Sequence, residues 1–141
     1  MHTDTLTLLL QLAGLMHLGL LGAGLTMPRA VGLRTHLATL PVFIRRLFWV
    51  YYTFIGLCLV SFGALTFGMA RTLGTGSPLA RAVCAFFAAF WLLRLVVATV
   101  VFDVKPYLTN GYRRVGYHAT NLVFCYLPVV YLLAAWKGGP P

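Results

Sequence analysis

Acidic side chains are almost missing from this chain. Glutamate does not occur, and aspartate occurs twice in 141 residues, as Asp4 and Asp103. That scarcity leaves few native groups to balance a cation, so any Lys or Arg set among apolar residues carries special weight. Paired thiols are missing as well. Cys58, Cys84 and Cys125 stand singly with no CxxC spacing, which argues against a disulfide relay or thiolate metal site and reads them as small core residues. The leader MHTDT holds no Lys or Arg, whereas a cleaved signal peptide needs a basic n-region, so the first apolar segment is expected to stay with the protein. No internal repeat, low-complexity run or lipidation motif stands out.

Charge of either sign is sparse, at 9% of residues, against 60% hydrophobic residues and a mean hydropathy of +0.87. A soluble domain of 15.5 kDa buries only part of its surface and could not hide this much apolar area. Lipid is therefore the solvent for much of the chain. A span needs about 20 mostly apolar residues, and four windows qualify, at residues 6–27, 47–69, 82–102 and 117–136. The expected fold is all-α, a four-helix transmembrane bundle that makes one integral-membrane domain of residues 1–141.

The net charge of +9 does not indicate a nucleic-acid partner, because the basic residues follow the loops and form no stripe. Arg29, Arg34, Arg45 and Arg46 fall around the first loop, and Lys105, Arg113 and Arg114 around the third. Only Arg71 and Arg81 flank the second, with Lys137 in the tail. Seven against three predicts that loops one and three are cytoplasmic and both termini extracytoplasmic, in a multi-pass protein of a bacterial-type inner (plasma) membrane.

Local signals refine this plan. Span one is glycine-rich and ends at Pro28; Gly19 and Ala23, with Gly22 and Gly24 beside them, let another backbone approach closely. Thr39 is placed to cap the second span, with Pro41 inside its first turn. Arg45 and Arg46 are expected to snorkel to headgroups beside a belt of Trp49, Tyr51 and Tyr52. The second loop, ARTLGTGSPLAR, reads as a plain external turn, and Asn110–Gly111 marks a turn in the third. Pro128 frees a carbonyl one turn earlier and kinks span four.

Helix rise converts residue number into depth. His17 lies roughly 15 Å and Arg94 roughly 13 Å from the cytoplasmic ends of their spans. The two share a midplane layer, to which the same ruler assigns Cys58, Cys125 and Tyr126. A shallower layer at the mouth holds Asp103, Lys105, His118, Asn121 and the Arg45–Arg46 pair. Asp103 cannot serve Arg94 along a straight helix, because nine residues turn it to the opposite face and set it about 13 Å away.

An arginine at the bilayer centre costs between about 2.5 and more than 10 kcal/mol. Three arrangements offset that cost. Arg94 can snorkel to a water defect, or lie on backbone carbonyls and the face of Trp91 or another aromatic ring. Alternatively it meets an anionic ligand, or a carboxylate on a partner chain. His17 is either a satisfied packing residue or, as a neutral imidazole, a metal ligand, with Arg94 clamping a propionate if that metal is haem iron. A bis-histidine haem fails on geometry, since His118 differs from His17 by roughly 12 Å in depth. His17 is then the one deep histidine available as a ligand.

The scattered residues are similar in plan to the HemJ-type protoporphyrinogen oxidases, small four-span proteins that bind haem. That family has a first-span histidine followed by Leu-Pro-Arg; here His17 precedes Met27–Arg29. It has a Trp shortly before a Lys in span three; here Trp91 precedes Arg94. Its span four carries an Asn, a Pro and a terminal Lys, matched by Asn121, Pro128 and Lys137. Leu122 stands where the family has Glu, and Arg94 replaces its catalytic Lys, with which it is not interchangeable because arginine does not give up its proton. The resemblance implies haem b or another porphyrin at His17, Arg94, Tyr126, Asn121 and Trp91, with His17 as the metal ligand. The loop RTHLATLPVF also looks like the cytoplasmic loop of the glutathione-using membrane enzymes of eicosanoid metabolism, without their Asn and Glu.

Two functions follow from the sequence. One is a haem- or porphyrin-binding membrane protein, engaged in redox chemistry if it is an enzyme, with no catalytic residue identified and Tyr126 a hydrogen-bond donor. The other is a non-catalytic subunit of a larger membrane complex or a homo-oligomer, in which Arg94 and the glycine face of span one contact partner chains. A channel is disfavoured because no pore-facing ring of polar residues is found.

Overall fold

The computed structural model describes residues 3–101 and 110–137. In chain order its helices are α1 (Thr3–Ala30), α2 (Leu33–Ala38), α3 (Val42–Gly68), α4 (Ala70–Gly74), α5 (Pro78–Val100) and α6 (Gly111–Lys137), with no strand among the described residues. The four long helices are each long and apolar enough to cross a membrane. At 23 to 28 residues they measure about 35–42 Å, enough for the hydrocarbon core and part of the polar interface.

All four run past the starts of their apolar windows. α3 starts at Val42 and α6 at Gly111, so Arg45, Arg46, Arg113 and Arg114 belong to helices rather than loops. Nor does α1 stop at Pro28; it continues to Ala30 with the proline inside. Proline offers no N–H to the carbonyl four residues back, here that of Gly24. The Tyr52 hydroxyl of α3 donates to that oxygen instead. Gly32, at φ 61, then turns the chain into α2 through the left-handed region that glycine enters without a side-chain penalty.

Two expectations about the connections are corrected. Thr39 does not cap α3: its hydroxyl donates to His36 O at 2.8 Å, back into α2, and Pro41 is itself the cap residue, with an extended ψ of 143. Proline disfavours helical geometry in the residue before it, which fixes this boundary. The second loop is no plain turn either. It folds as α4, with Ala70, Leu73 and Gly74 buried against α1. α5 then begins conventionally, with the Ser77 hydroxyl accepting from Ala80 N–H at 3.3 Å and Pro78 in the first turn.

Around the bundle axis, α1 packs on α3 and α6, and α5 packs on α6. The α1–α3 contact is close because two glycines meet there. A Cβ on Gly14 would stand 2.7 Å from Phe67 Cβ, and one on Gly63 would stand 3.0 Å from both Gly14 O and His17 Cβ. This contact lies nearer the Thr3 end than the Gly19–Ala23 stripe, where a Cβ on Gly19 or Gly22 would meet nothing within 4 Å among the described residues. α3 and α5 join differently. Phe62 lies 6.4, 4.8 and 5.4 Å from Phe86, Phe87 and Phe90, and these rings keep the two backbones apart.

Leu6, Leu10, Ala13, Leu127, Val130 and Ala134 fill the core. Phe54, Ile55, Leu57, Leu93, Val96 and Leu122 are exposed on the outside. So much outward apolar surface suits hydrocarbon and would drive association in water.

Candidate functional site: a polar centre on the bundle axis

Each long helix contributes one polar or amphipathic side chain to the centre of the bundle. His17 comes from α1, Thr66 from α3, Trp91 from α5 and Tyr131 from α6, and all four are buried. They meet across the diagonals. The His17 and Trp91 rings are 5.1 Å apart in an edge arrangement at 78°, and Thr66 Oγ1 shares a 2.7 Å hydrogen bond with the Tyr131 hydroxyl. A 6.4 Å edge contact between His17 and Tyr131 joins the two pairs.

The imidazole is held in one tautomer. Nδ1 lies 2.7 Å from the Ala13 carbonyl oxygen, one turn back on α1. A carbonyl only accepts, so Nδ1 carries the proton, and in the neutral ring Nε2 keeps a lone pair. Nε2 is buried with no hydrogen-bond partner among the described residues, and the same holds for Trp91 Nε1. An acceptor and a donor on touching rings thus both go unsatisfied, at a cost of about 1–3 kcal/mol each. Gly63 explains how the imidazole fits: any larger residue would push into His17 Cβ.

Arg94 stands one turn further along α5 than Trp91 and is half-buried. Its guanidinium carbon is 4.9 Å from the centre of the Phe124 ring, which in turn stacks on Trp91 at 5.9 Å and 28°. The arginine therefore lies on an aromatic face, that of Phe124. Trp91 lies between it and His17, and the Phe124 and Trp91 rings join the two. A cation over a ring away from water is stabilised by about 2 kcal/mol.

The other expected residues are placed elsewhere. The Tyr126 hydroxyl donates to Leu9 O at 3.1 Å, tying α6 to α1. Asn121, partly buried, precedes Tyr131 by ten positions, roughly 15 Å along the helix. His118 is exposed, while Asp103 and Lys105 lie outside the described residues. Cys58 and Cys125 face outward and Cys84 is buried. Among the described residues no three His, Cys, Asp or Glu side chains gather around a metal position.

Thr66, Tyr131 and the Gly14–Gly63 contact were not legible as parts of a site. The spacing of Phe124, Leu127, Tyr131 and Ala134, all buried on α6, is the stripe that would have pointed to Tyr131. No protein-family model, curated protein or solved structure matches this chain.

Proposed function

We propose that this multi-pass membrane protein holds a ligand of the haem or porphyrin class at the axial centre built on His17, or another anionic ligand whose charge Arg94 meets. The supporting observation is the Nε2 lone pair, buried and without a hydrogen-bond partner. Its other nitrogen is anchored on a backbone carbonyl, as is usual for histidines that ligate metals. An unsatisfied acceptor on the axis costs stability, and such costs are commonly retained for function. Arg94, on the Phe124 face, is the cation within the same aromatic run and suits a carboxylate of the ligand.

Access to the imidazole is restricted. His17 has no exposed surface, and Trp91, Tyr131 and the backbone at Gly63 surround its ring. A macrocycle reaches Nε2 only after Trp91 swings aside. The iron of a haem would supply any redox chemistry; this chain supplies the imidazole, the cation and the dry surroundings. In this reading the membrane is a bacterial-type inner membrane, with the arginine-rich helix ends cytoplasmic and both termini outside. The resemblance to the HemJ-type oxidases extends to ligand binding and stops short of proton transfer by Arg94.

A visible absorption spectrum of the purified protein tests this. A Soret band, present in the wild type or after haem addition and lost in His17→Ala, supports the proposal; a protein that stays colourless with added haem refutes the haem assignment. The second reading, a non-catalytic subunit, draws on the open stripe at Gly19 and Gly22. Stoichiometric copurification with another membrane chain, lost in Gly19→Leu, would favour it.

A further inference from the structure

At the arginine-rich end of the bundle, Arg34 and Leu37 of α2 face Arg45 and Trp49 of α3 across a cleft of about 350 Å³. That is within the size range of ligand sites, which starts at about 300 Å³. Leu37 is buried, Arg45 and Trp49 are half-buried, and Arg34 is exposed. Two helices thus bring two guanidinium groups to one cleft. Neither has a hydrogen-bonding or ion-pairing partner among the described residues. Asp4, a described acid, belongs to the opposite end of α1.

The position along the membrane is equally specific. Arg45 is in the first turn of α3, and Trp49 follows one turn later, just inside the apolar segment. Tryptophan at that depth sits at the headgroup level, with its ring against glycerol and upper acyl carbons. Phosphate oxygens match the planar fork of a guanidinium, which binds them in bidentate fashion. We infer that the Arg34–Arg45 cleft is a binding site for the phosphate headgroup of one anionic phospholipid, with Trp49 as the wall along which the lipid's glycerol region lies. A zwitterionic lipid brings a choline cation to the same two arginines and is disfavoured. The site is independent of the axial His17 centre.

Native mass spectrometry of the full chain in detergent, with an equimolar mixture of phosphatidylglycerol and phosphatidylcholine, tests this. Phosphatidylglycerol is expected to be retained in preference. Each basic residue near a membrane surface contributes about 1 kcal/mol, so Arg34→Gln or Arg45→Gln weakens retention about fivefold and the double variant loses the preference. Arg46→Gln, altering an exposed neighbour outside the cleft, leaves it unchanged. Arg34→Lys with Arg45→Lys keeps most of the preference, which separates charge loss from misfolding. Equal retention of the two lipids by the wild type overturns the inference, as does a double Gln variant that still selects phosphatidylglycerol. Displacement of the lipid by millimolar inorganic phosphate, with phosphate alone bound at the same arginines, identifies a free-anion site and also overturns it.

Discussion

Replacing Gly14 by alanine should cost this bundle more than any other glycine-to-alanine change in its spans. A Cβ there would stand 2.7 Å from Phe67 Cβ and 2.8 Å from Phe67 N. One of these is backbone and the other is fixed to it, so neither can rotate away and α1 must move off α3. Overpacking of this kind costs about 1–3 kcal/mol. The helix-propensity gain from glycine to alanine returns about 1 kcal/mol. For Gly14→Ala the steric term sits at the top of its range, leaving a net loss of about 2 kcal/mol. Gly63→Ala meets Gly14 O and His17 Cβ at 3.0 Å, contacts that a small shift relieves, so its net loss is about 1 kcal/mol or less. Gly19→Ala meets nothing within 4 Å and should be neutral or up to about 1 kcal/mol stabilising. Reversible unfolding in mixed micelles with increasing SDS, followed by far-ultraviolet circular dichroism, ranks the three variants. Gly14→Ala as stable as Gly19→Ala would refute the close α1–α3 contact.

Further tests address the polar links between helices. In a double-mutant cycle, Thr66→Val and Tyr131→Phe should couple by about 0.6–1.7 kcal/mol, the range found for hydrogen bonds between membrane helices; additive losses would mean that this bond contributes nothing. Tyr52→Phe leaves the Gly24 carbonyl without its donor and should cost about 1 kcal/mol. The cost should vanish in a Pro28→Ala background, where a helical N–H is restored to that carbonyl; persistence of the cost there rules out the pairing of Pro28 with Tyr52. His17→Leu should raise the stability of the ligand-free protein by about 1–2 kcal/mol by removing an unsatisfied buried acceptor, while abolishing any Soret band. A destabilised, ligand-free His17→Leu would instead assign the histidine to packing.

The four spans were legible because twenty-residue apolar windows have few alternatives in a chain this poor in charge. Their partners were harder to read. The depth ruler assumes that all helices end in one plane, but the first turns of α3 lie beside α2, across the Arg34–Arg45 cleft. The level of His17 therefore falls at Gly63 rather than at Cys58. Rise per residue also says nothing of side-chain direction, so the ruler named Tyr126, whose hydroxyl goes to Leu9 O, and missed Tyr131. An aromatic face was one of three arrangements left open by the cost of burying Arg94. Which ring it would find was not readable, because Phe124 belongs to another helix and reaches the site through packing alone.

The phenylalanine seam between α3 and α5 bears on the proposed ligand's route to the centre. Tyr52 fastens α1 to α3, Tyr126 fastens α6 to α1, and the Thr66–Tyr131 pair fastens α3 to α6. Across the seam, Phe62 of α3 meets Phe86, Phe87 and Phe90 of α5. If the haem or porphyrin reading holds, turning these rings is one way for a lipid-dissolved ligand to enter sideways between α3 and α5. The wall it then reaches is Trp91, which contacts Phe90 of the seam on one side and His17 on the other.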